Sequence, residues 1–93
     1  MLKVYKNRLE DCNVLYLQGR LVTGETDTLR EAVASQTDGT AIILDLRRVN
    51  RIDARGLGVL LQLREQTLAR GMKFKLINVS RLLRQVFEIT CLS

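Results

Sequence analysis

The sequence predicts an α/β domain, a mixed sheet of about four strands packed by about three helices in the order β-β-α-β-α-β-α. Three observations lead there. Two Val-, Leu- and Tyr-rich segments near the N-terminus are separated by one short polar turn. An apolar run at Ala41 to Leu46, broken only by Asp45, has the length and composition of a buried strand. The segments that follow it carry helical periodicity with glycine or serine at their ends. Ninety-three residues fill a single core, so residues 1–93 are expected to form one domain.

Taken in order, Leu2 to Leu9 and Asn13 to Gln18 read as an antiparallel hairpin turned at Glu10 and Asp11, with Gly19 closing the second strand. Hydroxyl and acidic residues from Thr23 to Asp27 suit a helix N-terminus. A helix over Glu25 to Gln36 follows, with Leu29, Ala32 and Val33 as its apolar stripe and Asp38-Gly39 inside its stop. Ala41 to Leu46 is the expected sheet centre, buried on both faces. Arg47 to Arg55 reads as a polar loop leading to a helix from Gly56 to Arg70 that ends on Gly71. Phe74 to Val79 gives another strand. Ser80 then caps a last helix, Arg81 to Thr90, whose Leu82, Leu83, Val86, Phe87 and Ile89 share one face. Strands joined through helices are expected to run parallel.

Composition narrows the function. Hydrophobic residues make up 46% of the chain and charged ones 27%, which is a globular balance rather than a disordered one. No apolar run approaches the ~20 residues of a membrane helix and the N-terminus has no signal-like segment, so a cytoplasmic protein without membrane insertion is the expectation. Cys12 and Cys91 lack metal-ligand companions and read as reduced, partly buried hydrophobes. Catalysis is disfavoured. Histidine is absent, neither cysteine has an activating base beside it, and Gly56-Leu57-Gly58 is too short for a phosphate cradle, so no cofactor or metal is implied. The net charge of +5 fits an acidic partner, a nucleic acid or an anionic surface. Against nucleic acid, the strands offer no evident exposed aromatic stacking positions and the element order differs from common RNA-binding sheets.

The segment Ile43 to Leu63, ILDLRRVNRIDARGLGVLLQL, resembles the signature region of STAS domains, the family of sulfate transporters and anti-sigma factor antagonists. In that family a buried strand ending in Asp-Leu leads to Asp-Ser-Ser-Gly and a Leu-rich helix. Here the corresponding residues are Asp45-Leu46, Asp53-Ala54-Arg55-Gly56, and Leu57 to Leu63. Gly19-Arg20-Leu21 and the stretch from Gly71 to Ser80 match further landmarks, so the likeness covers nearly the whole chain. The resemblance implies the SpoIIAA-like fold and a non-enzymatic regulator of transcription that binds an anti-sigma factor or a kinase-like protein. It places partner binding at the helix start, Asp53, Ala54, Arg55, Gly56 and Leu57; Gln62 joins them from helical periodicity, on the polar side shared with Arg55, Glu65 and Gln66. Arg55 occupies the position of the regulatory phosphoserine and Ala54 replaces its neighbouring serine, while Val22 stands where an acidic residue is usual. Neither Ala54 nor Arg55 can accept a phosphate. Many members of that family carry a further C-terminal strand and helix, and the expectation is a domain without them, as a short member or a trimmed one. Other members serve as accessory subunits of lipid-transport ABC systems, which is the alternative role; a nucleic-acid-binding domain is the alternative of another class.

The residues leave two questions open. Arg47, Arg48, Arg51 and Arg55 fall within nine positions, as either a solvated loop or a contact for an acidic partner. On an ideal helix, Leu57, Val59, Leu60, Leu61, Leu63 and Leu68 span about 200°, wider than the ~100° a surface helix buries. Either the rest of the fold covers the excess, or one edge meets a partner or a second copy in a homodimer.

Overall fold

The computed structural model describes residues 1–81 and 83–85. Strands β1 (Lys3–Leu9) and β2 (Cys12–Leu21) form the expected antiparallel hairpin, turned through Glu10, whose φ of 56° lies in the left-handed region. β3 (Ala41–Ile52) pairs parallel with β2, and β4 (Lys73–Ile77) pairs parallel with β3, giving the sheet order β1-β2-β3-β4. Helix α1 (Asp27–Ala34) joins β2 to β3 and α2 (Ala54–Ala69) joins β3 to β4. A third helix opens at Arg81, where the Ser80 hydroxyl accepts from the Leu83 N–H at 3.2 Å. The predicted order β-β-α-β-α-β-α is therefore the order found. Leu82, the stretch from Val86 to Thr90 and Cys91 lie outside the described residues.

The core forms on one face of the sheet. Leu15, Leu17 and Leu21 from β2 and Ile42, Leu44 and Leu46 from β3 pack with Leu29 and Val33 of α1 and with Val59, Leu60 and Leu63 of α2. Because side chains alternate along a strand, Tyr5, Tyr16, Ile43 and Asp45 point to the opposite face, which no helix covers among the described residues. Among the described residues one buried side-chain polar atom is unsatisfied: the Thr67 hydroxyl on α2, in a fully buried residue, has no hydrogen-bond partner there. Thr67→Val removes that stranded group at nearly constant shape, and is expected to stabilise the fold by about 1 kcal/mol, read as a higher Tm.

Two sequence expectations are corrected here. β2 continues through Gly19 to Leu21, and the Arg-rich segment after Leu46 is not a loop but the second half of β3, ending at Ile52. The cause is a pair of register shifts, one between Tyr16 and Gln18 and one between Gly19 and Arg20 of β2. Tyr16 and Gln18 pair with Asp45 and Arg48, and Gly19 and Arg20 pair with Val49 and Arg51, so β3 carries one extra residue at each shift. A bulge of this kind turns two consecutive side chains outward. Leu46 and Val49 are buried, while Arg47 and Arg48, then Asn50 and Arg51, are exposed. Boundary shifts are smaller elsewhere: α1 begins at Asp27 rather than Glu25, α2 at Ala54 rather than Gly56, and β4 ends at Ile77 before Asn78, whose φ is 55°. The expected cap of α1 is also absent, since the Thr26 side chain makes no cap hydrogen bond.

Candidate protein-docking site on α2

Asp53 fixes where α2 begins. It sits at the N-cap with an extended backbone, and its Oδ1 accepts from the Gly56 N–H at 2.8 Å, satisfying a donor that the first helical turn would leave unpaired. Its Oδ2 accepts from the backbone N–H of Thr23 at 2.9 Å and from the Thr23 hydroxyl at 3.0 Å. One carboxylate thus ties the start of α2 to the segment that follows β2. The Thr23 and Gly56 N–H groups hold the Asp53 carboxyl below the ordinary carboxylate range.

That depression sets a pH dependence. A carboxyl that binds its proton less readily in the folded state contributes stability above its unfolded pKa, and the contribution disappears as pH falls through the folded value. Glu25 acts in the same direction: its carboxylate meets the N-terminal ammonium at 2.8 Å and Arg20 at 2.9 Å, and the hydrogen bond from that ammonium, ahead of Arg20, lowers its pKa. The fold is therefore expected to lose stability on acidification below about pH 4, the ordinary carboxylate range. Asp53→Asn should melt lower than the parent at pH 7, and the gap should narrow at pH 3. Thermal melts at the two pH values check this.

Gly56 brings the helix against the sheet. A Cβ at this position would lie 2.0 Å from the Leu21 carbonyl oxygen and 2.8 Å from its carbon, both backbone atoms, so only glycine permits the approach. At the far end Gly71, with φ of 78°, follows the Arg70 C-cap as the stop expected from sequence.

The remaining residues named from sequence divide by exposure. Gly56 is buried, Asp53 and Leu57 are half-buried, and Ala54, Arg55 and Gln62 are exposed. At about 100° per residue, Ala54, Arg55, Gly58, Leu61, Gln62 and Glu65 share one side of α2. Gly58 lies in the middle of that side with nothing within 4 Å of where a Cβ would stand. The wide apolar arc is only partly covered, because Leu61 and Leu68 are 38% and 45% exposed. The result is a shallow helix face with Arg55 and Gln62 on one flank and Leu61 on the other, bare of side chain at Gly58 where another backbone can approach closely.

The four arginines do not act as one loop. Arg47, Arg48 and Arg51 belong to the bulged half of β3, while Arg55 is in the first turn of α2. Sequence reasoning also missed the exposed aromatics: Tyr5 and Tyr16 are directly opposed across β1 and β2 and are 52% and 37% exposed. The expectation that the strands offer no exposed aromatic positions is therefore wrong. The two-residue turn at Glu10 and Asp11, which pairs Leu9 with Cys12, was the signal that fixes this register. Cys12 is half-buried on β2. No helix among the described residues is long and apolar enough to cross a membrane.

A STAS domain model matches residues 3–93. The chain belongs to the STAS family. No curated protein is a significant match to this STAS chain. Solved structures share its fold. An anti-sigma factor antagonist from Mycobacterium paratuberculosis aligns at a TM-score of 0.86 and 18% identity, over 99% of this chain and 80% of that one. SpoIIAA of Bacillus, a cell fate determinant solved in its phosphorylated form, aligns at 0.76 and 22%, over 97% and 85%. A sulfate transporter family protein from Wolinella succinogenes aligns at 0.80 and 25%, over 94% and 72%. Against the longer protein Mglu, at 0.75 and 26%, the STAS chain covers 83% of itself but spans only 20% of the other.

Proposed function

We propose that this STAS domain is a regulator of the anti-sigma factor antagonist type, acting by protein binding and not by catalysis. Its partner is an anti-sigma factor or a related kinase-like protein, met in the cytoplasm through the start and outer side of α2. The observation that carries this reading is the α2 face itself. Asp53 anchors the helix start, Gly56 seats it against β2, and Ala54, Arg55 and Gln62 are left exposed beside the uncovered Leu61. In this reading Asp53, Gly56 and Leu57 shape the docking turn, and Arg55 and Gln62 touch the partner. The fold likeness to the mycobacterial antagonist and to SpoIIAA, likewise an anti-sigma factor antagonist, supports this partner class.

The switch differs from a phosphoserine. From Asp53 to Leu57 there is no hydroxyl, and Arg55 sets a permanent positive charge where a phosphate would add about −1.5 to −2 near pH 7. Binding at this turn is constitutive or is tuned elsewhere, and the partner surface facing Arg55 is acidic. Incubation with host kinases and ATP, followed by peptide mass mapping, should leave residues 53–57 unmodified; a phosphate there would refute this part.

A second reading, an accessory subunit of a lipid-transport ABC system, is favoured by that same absence of a phosphate acceptor and by the likeness to a transporter-family structure. Capture of interacting proteins by the immobilised chain, with identification by mass, separates the two. An anti-sigma factor or kinase-like protein supports the first reading and a transport ATPase or permease the second. Retention of neither, with the α2 face intact, sinks both.

A further inference from the structure

The face of the sheet turned away from α1 and α2 carries a cleft that the docking site does not use. It encloses about 470 Å³, within the ~300–1,000 Å³ usual for small-molecule sites, and is lined by Tyr5, Tyr16, Gln18, Asp45, Arg47 and Arg48. The first bulge of β3 makes it. Without the extra residue, Arg47 and Arg48 would point to opposite faces; with it both are exposed and both line the cleft. Among the described residues neither guanidinium has a carboxylate within ion-pair distance. Asp45, the one acid in the lining, is nearly buried and already engaged. Its Oδ1 accepts from the Arg47 backbone N–H and its Oδ2 from the Asn78 amide, each at 2.9 Å.

We propose that this cleft binds a small anion carrying a planar ring, of the aryl phosphate or aryl carboxylate class. Two adjacent guanidiniums match the oxygens of such an anion in a charge-assisted, geometrically selective way. The volume exceeds what an inorganic anion fills, and the paired tyrosines supply an aromatic wall for the ring. The Gln18 amide adds a polar group beside Arg48, its register partner. A single-stranded nucleic acid fits less well. Tyr5 and Tyr16 share one row across the sheet and so offer one stacking station, whereas a strand needs successive ones along its path.

The test is a titration of the isotopically labelled full chain, followed by NMR, with phenyl phosphate, inorganic phosphate, cyclohexyl phosphate and a single-stranded oligothymidylate. Tyr5 and Tyr16 are the chain's two tyrosines, so their ring signals report directly on the cleft. Phenyl phosphate should shift Tyr5, Tyr16, Gln18, Arg47 and Arg48 and bind about tenfold tighter than either other phosphate, one well-made interaction's worth. Arg47→Gln with Arg48→Gln should weaken it about tenfold or more, and Tyr16→Leu about fivefold, with each variant's melting checked in parallel. Four results would overturn the proposal: no saturable shift at roughly 10 mM ligand, equal affinity for the non-aromatic phosphates, shifts confined to α2, or tight binding of the oligonucleotide alone.

Discussion

Gly56→Ala is expected to destabilise the fold by about 3 kcal/mol or more. The added methyl would stand 2.0 Å from the Leu21 carbonyl oxygen, and that oxygen has no freedom to retreat, since it also accepts from the Asp53 N–H at 3.3 Å. Helix α2 must therefore lift from β2, and lifting it pulls Asp53 away from Thr23 and opens the contacts of Val59, Leu60 and Leu63. For a domain of this size each kcal/mol moves the melting point by ~4–8 °C, so a loss above roughly 12 °C should be seen. Gly58→Ala, two residues on, is the internal comparison. Nothing lies within 4 Å of its Cβ, so only the helix-propensity gain of about 0.5–1 kcal/mol remains and the variant should melt higher than the parent. If Gly56→Ala melts with the parent, the close seat of α2 on β2 is wrong, and with it the shape of the docking turn. If Gly58→Ala is stabilised yet binds its partner more weakly, the bare patch on α2 is confirmed as a place where another chain comes close.

The two glycines show what kind of information the sequence exposes. Gly71 is readable because a helix stop is local, and Asp53 because an acidic side chain three residues before a helical amide suits the N-cap. The buried first half of β3 is readable for the same reason, as a short continuous apolar run. Its second half is not. Two bulges change the strand's period from two residues to three, leaving Leu46, Val49 and Ile52 on the core side with pairs of polar residues between, and that spacing mimics a loop or a helix. The consequence reaches the chemistry. Arg47 and Arg48 read as part of one arginine cluster with Arg55, whereas the bulge turns them into a cleft on the far face of the sheet, beside tyrosines eleven positions apart in the chain. The start of α2 was legible because Asp53 to Gly56 are neighbours in the chain; the cleft was not, because strand register assembles it.

Arg55→Glu is expected to weaken partner binding by roughly thirtyfold or more, the loss typical of a hot-spot arginine, with little change in Tm. Arg55 is exposed in the first turn of α2, and among the described residues it has no ion-pair partner to lose within its own chain. The glutamate keeps a long polar side chain of good helix propensity and lies at the helix end that favours a negative charge, so folding should tolerate it. Only a partner with an acidic counter-surface would be repelled, and repulsion of that origin appears mainly as slower association. Salt should therefore narrow the gap between variant and parent, because the Debye length shortens from ~10 Å at 0.1 M to ~3 Å at 1 M. Lys3→Glu, on the exposed start of β1, changes the net charge by the same amount and serves as the comparison. If it weakens binding as strongly, the effect belongs to the overall charge of +5 and not to the α2 turn. If Arg55→Glu instead binds as tightly as the parent, Arg55 does not touch the partner, and the proposed role of its guanidinium in recognition fails.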